Sequence, residues 1–97
     1  LRERGLAEKT LVVFTSDNGP WLIYGSQGGS AGPLRDGKGC TWDGGMREPT
    51  IVWRPGFVPA GSTSAEFGST TDLFATFASL AGAAVPADRP FDSYDLS

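Results

Sequence analysis

Three short apolar blocks of this chain carry a readable secondary-structure pattern, separated by long stretches rich in polar residues and glycine. The first, Thr10–Thr15 (Thr-Leu-Val-Val-Phe-Thr), is an unbroken β-branched and aromatic run. Such a run predicts a strand covered on both faces. It ends in Ser16-Asp17-Asn18-Gly19-Pro20, a dense turn signal just past the strand's carboxyl end. In open parallel sheets ligands collect at that edge. Thr50–Trp53 repeats the pattern more briefly and stops at Arg54-Pro55-Gly56. The third block predicts a helix from Ser69 to Ala81, with Leu73, Phe74, Phe77, Leu80 and Ala81 on one face buried against a sheet. Ser69 or Thr70 suits its cap, Asp72 its first turn, and Gly82 with Pro86 its close. Leu1 to Lys9 reads as the end of a helix and its exit, with Gly5 as the left-handed residue. The closing Asp88–Ser97 is polar and turn-rich.

Nine of the 14 glycines fall between Gly19 and Gly45, where no apolar periodicity is readable. A stretch of that length inside ordered elements predicts a functional loop. Strand, loop, strand and helix together predict an α/β class. Two strands and one helix cannot bury three Trp and six Phe, so the pattern predicts one part of a larger α/β domain, poorly folded when isolated. Neither an internal repeat nor a second domain is readable.

Charge and composition then remove whole classes of function. Eight basic and eleven acidic residues give a net charge of −3. That balance speaks against a nucleic-acid partner and against an anionic membrane surface. No apolar run approaches the roughly 20 residues of a membrane span. One cysteine and no histidine leave no internal disulfide, no Cys/His zinc site and no histidine-based catalytic triad or dyad.

Four places could carry chemistry. Asp17 and Asn18 offer adjacent side-chain oxygens able to bind a hard cation such as Ca²⁺, although Ca²⁺ needs about 6–8 oxygens and the others must come from elsewhere. The same Asp-Asn-Gly is also ordinary turn chemistry, with side chains bonding their own backbone. Gly32-Pro-Leu-Arg-Asp-Gly37-Lys38-Gly39 nearly spells a phosphate-binding P-loop, but Gly39 lacks the hydroxyl that holds Mg²⁺ and Pro33 lacks an N–H. What survives is Lys38, either a point charge for an oxyanion or a solvated surface lysine. Cys40, with no base beside it, reads as a small buried hydrophobe or an inert thiol. Arg47 and Glu48, between Gly44-Gly45 and Pro49, predict an ion pair orienting the loop, ahead of any catalytic part. Trp21, Tyr24 and Trp42 either line a pocket mouth or pin the loop down.

Taken in order, Thr-Leu-Val-Val-Phe-Thr-Ser-Asp-Asn-Gly-Pro, Gly-Gly-Ser-Ala-Gly-Pro-Leu-Arg-Asp-Gly-Lys and Trp-Asp-Gly-Gly-Met-Arg-Glu-Pro resemble the sulfatase family, in its arylsulfatase A and N-acetylgalactosamine-6-sulfatase branch. The resemblance implies residues 1–97 as the C-terminal part of a catalytic domain, in an alkaline-phosphatase-like α/β sandwich with a mostly parallel central sheet. It implies Ca²⁺ as cofactor, Asp17 and Asn18 as two of its ligands, and Lys38 as the lysine that contacts the sulfate. Gly44, Gly45, Arg47 and Glu48 match a signature explained by architecture. The formylglycine nucleophile, formed from a Cys or Ser, would lie upstream, and Cys40 is not that residue. The implied partners are a small-molecule or carbohydrate sulfate ester and the rest of the same domain, and the family is commonly exported. Ala75 stands where such helices often carry Pro, and Asp92-Ser93 where Asp-Gly is usual.

Two other functions fit the same residues: a phosphatase or phosphodiesterase of the same superfamily, and a non-catalytic binding module or pseudoenzyme. Asn18 favours the sulfatase, since an amide oxygen suits Ca²⁺ where an imidazole at that place would suit Zn²⁺.

Overall fold

Gly5, at φ 65°, ends a 3-10 turn over Arg2–Arg4. Its N–H bonds the Arg2 carbonyl and that of Leu6 the Leu1 carbonyl, the bond pair of a left-handed helix exit. The expected exit is therefore present on a single 3-10 turn, and a second such turn, Ala7–Lys9, follows at once. The computed structural model describes all residues, 1–97, in two compact units, Leu1–Ser62 and Thr63–Ser97. No helix is long and apolar enough to cross a membrane.

In the first unit, the two apolar blocks form strands β1 (Val12–Phe14) and β2 (Ile51–Trp53), shorter than the runs that predict them. They pair antiparallel, Val12 opposite Trp53, Val13 opposite Val52 and Phe14 opposite Ile51. The Thr15 and Thr50 hydroxyls meet at 2.8 Å just past the ladder. The expected mostly parallel sheet is thus not formed by this chain's own strands. A parallel pair needs a crossover segment, usually a helix packed on the sheet. Between β1 and β2 stand only a kinked 3-10 stretch, Leu22–Gln27, and a one-turn helix, α1 (Asp43–Met46). The strands are also not covered on both faces, since Phe14 is 70% and Ile51 62% exposed. Arg54 ties the initial turns to β2, its Nε donating to the Glu8 carbonyl at 3.0 Å.

The second unit is built on helix α2 (Asp72–Leu80). Its close follows the expectation: Gly82 is left-handed at φ 70°. Gly82 N–H bonds the Ser79 carbonyl and Ala83 N–H the Ala78 carbonyl, a Schellman pair. At its start the flanking Thr71 makes no side-chain cap bond. Ser69 Oγ accepts the Thr71 N–H at 3.4 Å, and the Asp72 carboxylate accepts the Ser69 N–H at 2.7 Å, the reciprocal pair of a capping box. The expected buried face differs, because Phe74 and Phe77 are about half exposed while Asp72, Ala75 and Thr76 are buried. The covering element is the closing segment rather than a sheet. Ser93 Oγ accepts the Ala75 N–H and donates to the Thr71 carbonyl. Tyr94 N–H reaches Asp72, and Leu96 N–H reaches Thr76 Oγ1 at 3.0 Å. An extended segment brings unpaired N–H groups, so a polar stripe receives it better than an apolar one.

Candidate functional site

The turn after β1 is shaped by Ser16, whose Oγ donates to the Asn18 carbonyl at 2.9 Å. This short loop leaves Asp17 exposed and Asn18 partly covered. Neither Asp17 nor Asn18 bonds its own backbone through its side chain; that turn chemistry occurs at Asp36, whose Oδ1 accepts the Gly37 N–H at 2.9 Å. Asp36 also holds a left-handed φ of 65°, which Asp tolerates better than most residues. The side-chain oxygens of Asp17 and Asn18 are therefore free of internal bonds.

Three segments are then laced together by backbone. Gly19 N–H bonds the Gly45 carbonyl at 3.1 Å, Lys38 N–H the Pro20 carbonyl at 2.9 Å, and Gly44 N–H the Arg35 carbonyl at 2.8 Å. Close approach explains the glycines here. A Cβ on Gly19 would collide with the Gly44 carbonyl, and one on Gly44 with the Asp36 and Arg35 carbonyls. Gly19, Gly37, Gly44 and Gly45 are all buried. The 17–20 turn, the 35–40 loop and α1 thus form one small knot with almost no side chain in it.

Lys38 sits on this knot, its backbone bonded to Pro20, two residues beyond Asn18. Its Nζ lies over the Trp21 ring, 5.5 Å from the centroid, and it forms no ion pair with Asp17. Arg35 stacks more tightly on Trp42, at 3.6 Å. The sequence reading missed both cation–π contacts; the readable signal was an Arg or Lys and a Trp recurring in one loop of few other large side chains. Cys40 is only partly covered, and its thiol donates to the Gly37 carbonyl at 3.0 Å.

The expected ion pair between Arg47 and Glu48 does not form. Arg47 instead reaches Asp43, one turn back, at 3.7 Å, with both side chains mostly exposed. Neighbours in sequence leave a strand-like backbone on opposite sides, whereas residues four apart on a helix turn face each other. Such an exposed pair contributes little to stability. Glu48 turns inward, and its Oε1 is buried without a hydrogen-bond partner.

Whether these residues suit a metal turns on donor chemistry. Asp17 and Asn18 present one anionic and one neutral oxygen donor, both unengaged, which match a hard cation such as Ca²⁺. No group of three or more His, Cys, Asp or Glu able to hold a metal exists in the chain. The pair therefore fits as part of a ligand set completed by residues beyond these.

The family model for Sulfatase matches residues 1–83. The chain belongs to the sulfatase family. Across 97 residues it is 54% identical to N-acetylgalactosamine-6-sulfatase of Canis lupus familiaris, covering 99% of this chain and 19% of that protein. Arylsulfatase A of Homo sapiens is 50% identical over 93 residues, 96% of this chain and 18% of the relative. Among solved structures, that of Ps i-CgsB in complex with k-i-k-neocarrahexaose superposes with a TM-score of 0.89 at 41% identity, over 99% of this chain and 21% of that one. The chain spans about a fifth of the length of the relatives it matches.

Proposed function

We propose that the sulfatase-family protein containing this chain is a Ca²⁺-dependent sulfuric ester hydrolase acting on carbohydrate or aryl sulfates, and that residues 1–97 form the C-terminal part of its catalytic domain. In this reading the domain is an alkaline-phosphatase-like sandwich whose mostly parallel sheet is completed outside these residues, as is the formylglycine nucleophile. The names of the relatives support a sulfate ester of N-acetylgalactosamine or of an aryl alcohol. The oligosaccharide in the Ps i-CgsB complex supports a carbohydrate. One observation of this chain supports the reading: the backbone bond from the Lys38 N–H to the Pro20 carbonyl, which ties the Lys38 backbone to the segment that follows Asp17 and Asn18.

The chemistry follows from what these side chains offer. Asp17 and Asn18 would hold the metal through their free oxygens, and Ca²⁺ bound there would supply positive charge to neutralise the sulfate. Lys38 adds a second cation, and its Nζ–H groups hold one sulfate oxygen and stand ready to protonate the leaving oxygen. The glycine knot fixes the Lys38 backbone before the substrate arrives, so little reorganisation is left for the reaction itself. Gly44, Gly45, Arg47 and Glu48 serve that placement rather than the reaction.

In the full-length protein, Lys38→Ala lowers kcat/KM for a sulfate ester roughly 10²–10³-fold, the loss typical of one oxyanion donor, with the melting temperature unchanged. Turnover per folded molecule equal to wild type would remove Lys38 from the site.

A further inference from the structure

Trp21 and Tyr24 stand edge to face, their ring centroids 4.8 Å apart and their planes at 86°. They form a corner of two flat apolar faces, and they are 45% and 56% exposed. The corner is fixed by backbone. Trp21 N–H bonds the Gly28 carbonyl at 3.0 Å, and Tyr24 N–H bonds the Trp21 carbonyl at 3.1 Å. A Cβ on Gly28 would collide with that same Trp21 carbonyl. Lys38 is tied to the residue before Trp21, and its ammonium lies over the indole at 5.5 Å.

Resting on the sulfatase reading above, we propose that Trp21 and Tyr24 form the wall against which the sugar ring of a carbohydrate sulfate lies while Lys38 holds its sulfate. A sugar ring combines apolar C–H faces with a rim of hydroxyls, so it needs a flat apolar surface bordered by polar groups. This corner has that composition. The indole N–H and the phenol O–H make no hydrogen bond within the chain, where the loop's bonds come from its backbone and from Ser30, Asp36 and Cys40. An aryl sulfate would use the faces and leave the rim idle. The ammonium lies near the outer limit of a cation–π contact. It is therefore held loosely over the ring that the sugar would face, free to turn to an anion on the sugar's edge. Trp21 is in this account a specificity residue for the leaving group, and Lys38 remains the sulfate contact.

The test uses full-length protein, with an oligosaccharide bearing N-acetylgalactosamine 6-sulfate as substrate and inorganic sulfate as a ringless inhibitor. Trp21→Ala raises KM for the sugar sulfate about tenfold, the scale of one aromatic stacking contact. It leaves kcat and the inhibition constant of inorganic sulfate within about twofold, as expected when only ground-state binding is lost. Trp21→Phe keeps most of the affinity, and Trp21→Leu, which preserves apolar bulk without a ring, behaves like the alanine variant. If the alanine variant fails to fold, the Phe and Leu pair decides alone. An unchanged KM overturns the proposal. So does an equal loss of sugar sulfate and inorganic sulfate, which would make Trp21 only a support for Lys38. A wild-type protein that hydrolyses no sulfate ester overturns the sulfatase reading itself, and does so before any variant is compared.

Discussion

Gly44 shows how little side chain the site is built from. Its hydrogen stands where a methyl group would meet two backbone carbonyls, and backbone cannot step aside as a flexible side chain does. Gly44→Ala therefore forces the 35–36 loop away from α1 and carries Lys38 with it. Overpacking of this kind costs about 1–3 kcal/mol, so the full-length variant melts earlier and loses turnover. Gly61→Ala is the control. Gly61 is left-handed at φ 72° with open space around it, so that variant loses stability of roughly 1–2 kcal/mol and keeps wild-type turnover per folded molecule. Thermal melting of both variants, paired with activity, checks the distinction; equal loss of turnover in both would refute it. Lys38 and the Asp17-Asn18 turn were readable as candidates because charged and amide side chains carry their chemistry in their names. The buried knot beneath them was not, since contacts between glycines and carbonyls leave no apolar period in a sequence.

Among the elements, both ends of α2 were legible, and what binds Asp72 from a distance was not. Gly82 signals its own conformation and the Ser69 hydroxyl accepts a first-turn amide, whereas the contact of Asp72 with Tyr94 comes from 22 positions away. Tyr94 N–H donates to Asp72 Oδ1 at 2.8 Å and Ser69 N–H to Oδ2 at 2.7 Å. These two amides, Tyr94 first, hold the Asp72 carboxyl below its ordinary 3.8, against the desolvation that pushes it up. The folded state thus binds this proton more weakly than the unfolded one. The contribution is complete above 3.8 and is lost as pH falls through the lowered folded value. Hydrogen-exchange protection of the Ser69 and Tyr94 amides follows that course, constant near neutrality and falling in acid. Asp72→Asn, with one acceptor oxygen for two amides, lowers protection at one of them and removes this part of the acid dependence. Acid-independent protection in the wild type would show that other contacts hold the segment. The strands teach the same lesson, since Thr10–Thr15 and Thr50–Trp53 announced themselves, but their antiparallel pairing depends on how the intervening loop folds back.

For the whole molecule, the buried apolar residues are Ala7 and Ala75 alone, as a chain with more aromatic surface than it can cover would have. Phe67, Phe14 and Ile51 are 93%, 70% and 62% exposed. The larger sheet that the sequence pattern predicts is not formed by these residues, which make a single antiparallel strand pair. Family membership rests on the ordered set of segments across residues 1–83, and the site proposed for the complete protein joins two oxygen donors at one turn to a lysine whose backbone is tied to that turn's end. The decisive measurement is the calcium content and sulfate-ester turnover of full-length Asp17→Ala beside wild type. Wild type is expected to retain bound Ca²⁺ and hydrolyse the ester, while Asp17→Ala, still folded by its melting curve, loses both. A folded Asp17→Ala protein with wild-type calcium and turnover would contradict the ligand assignment.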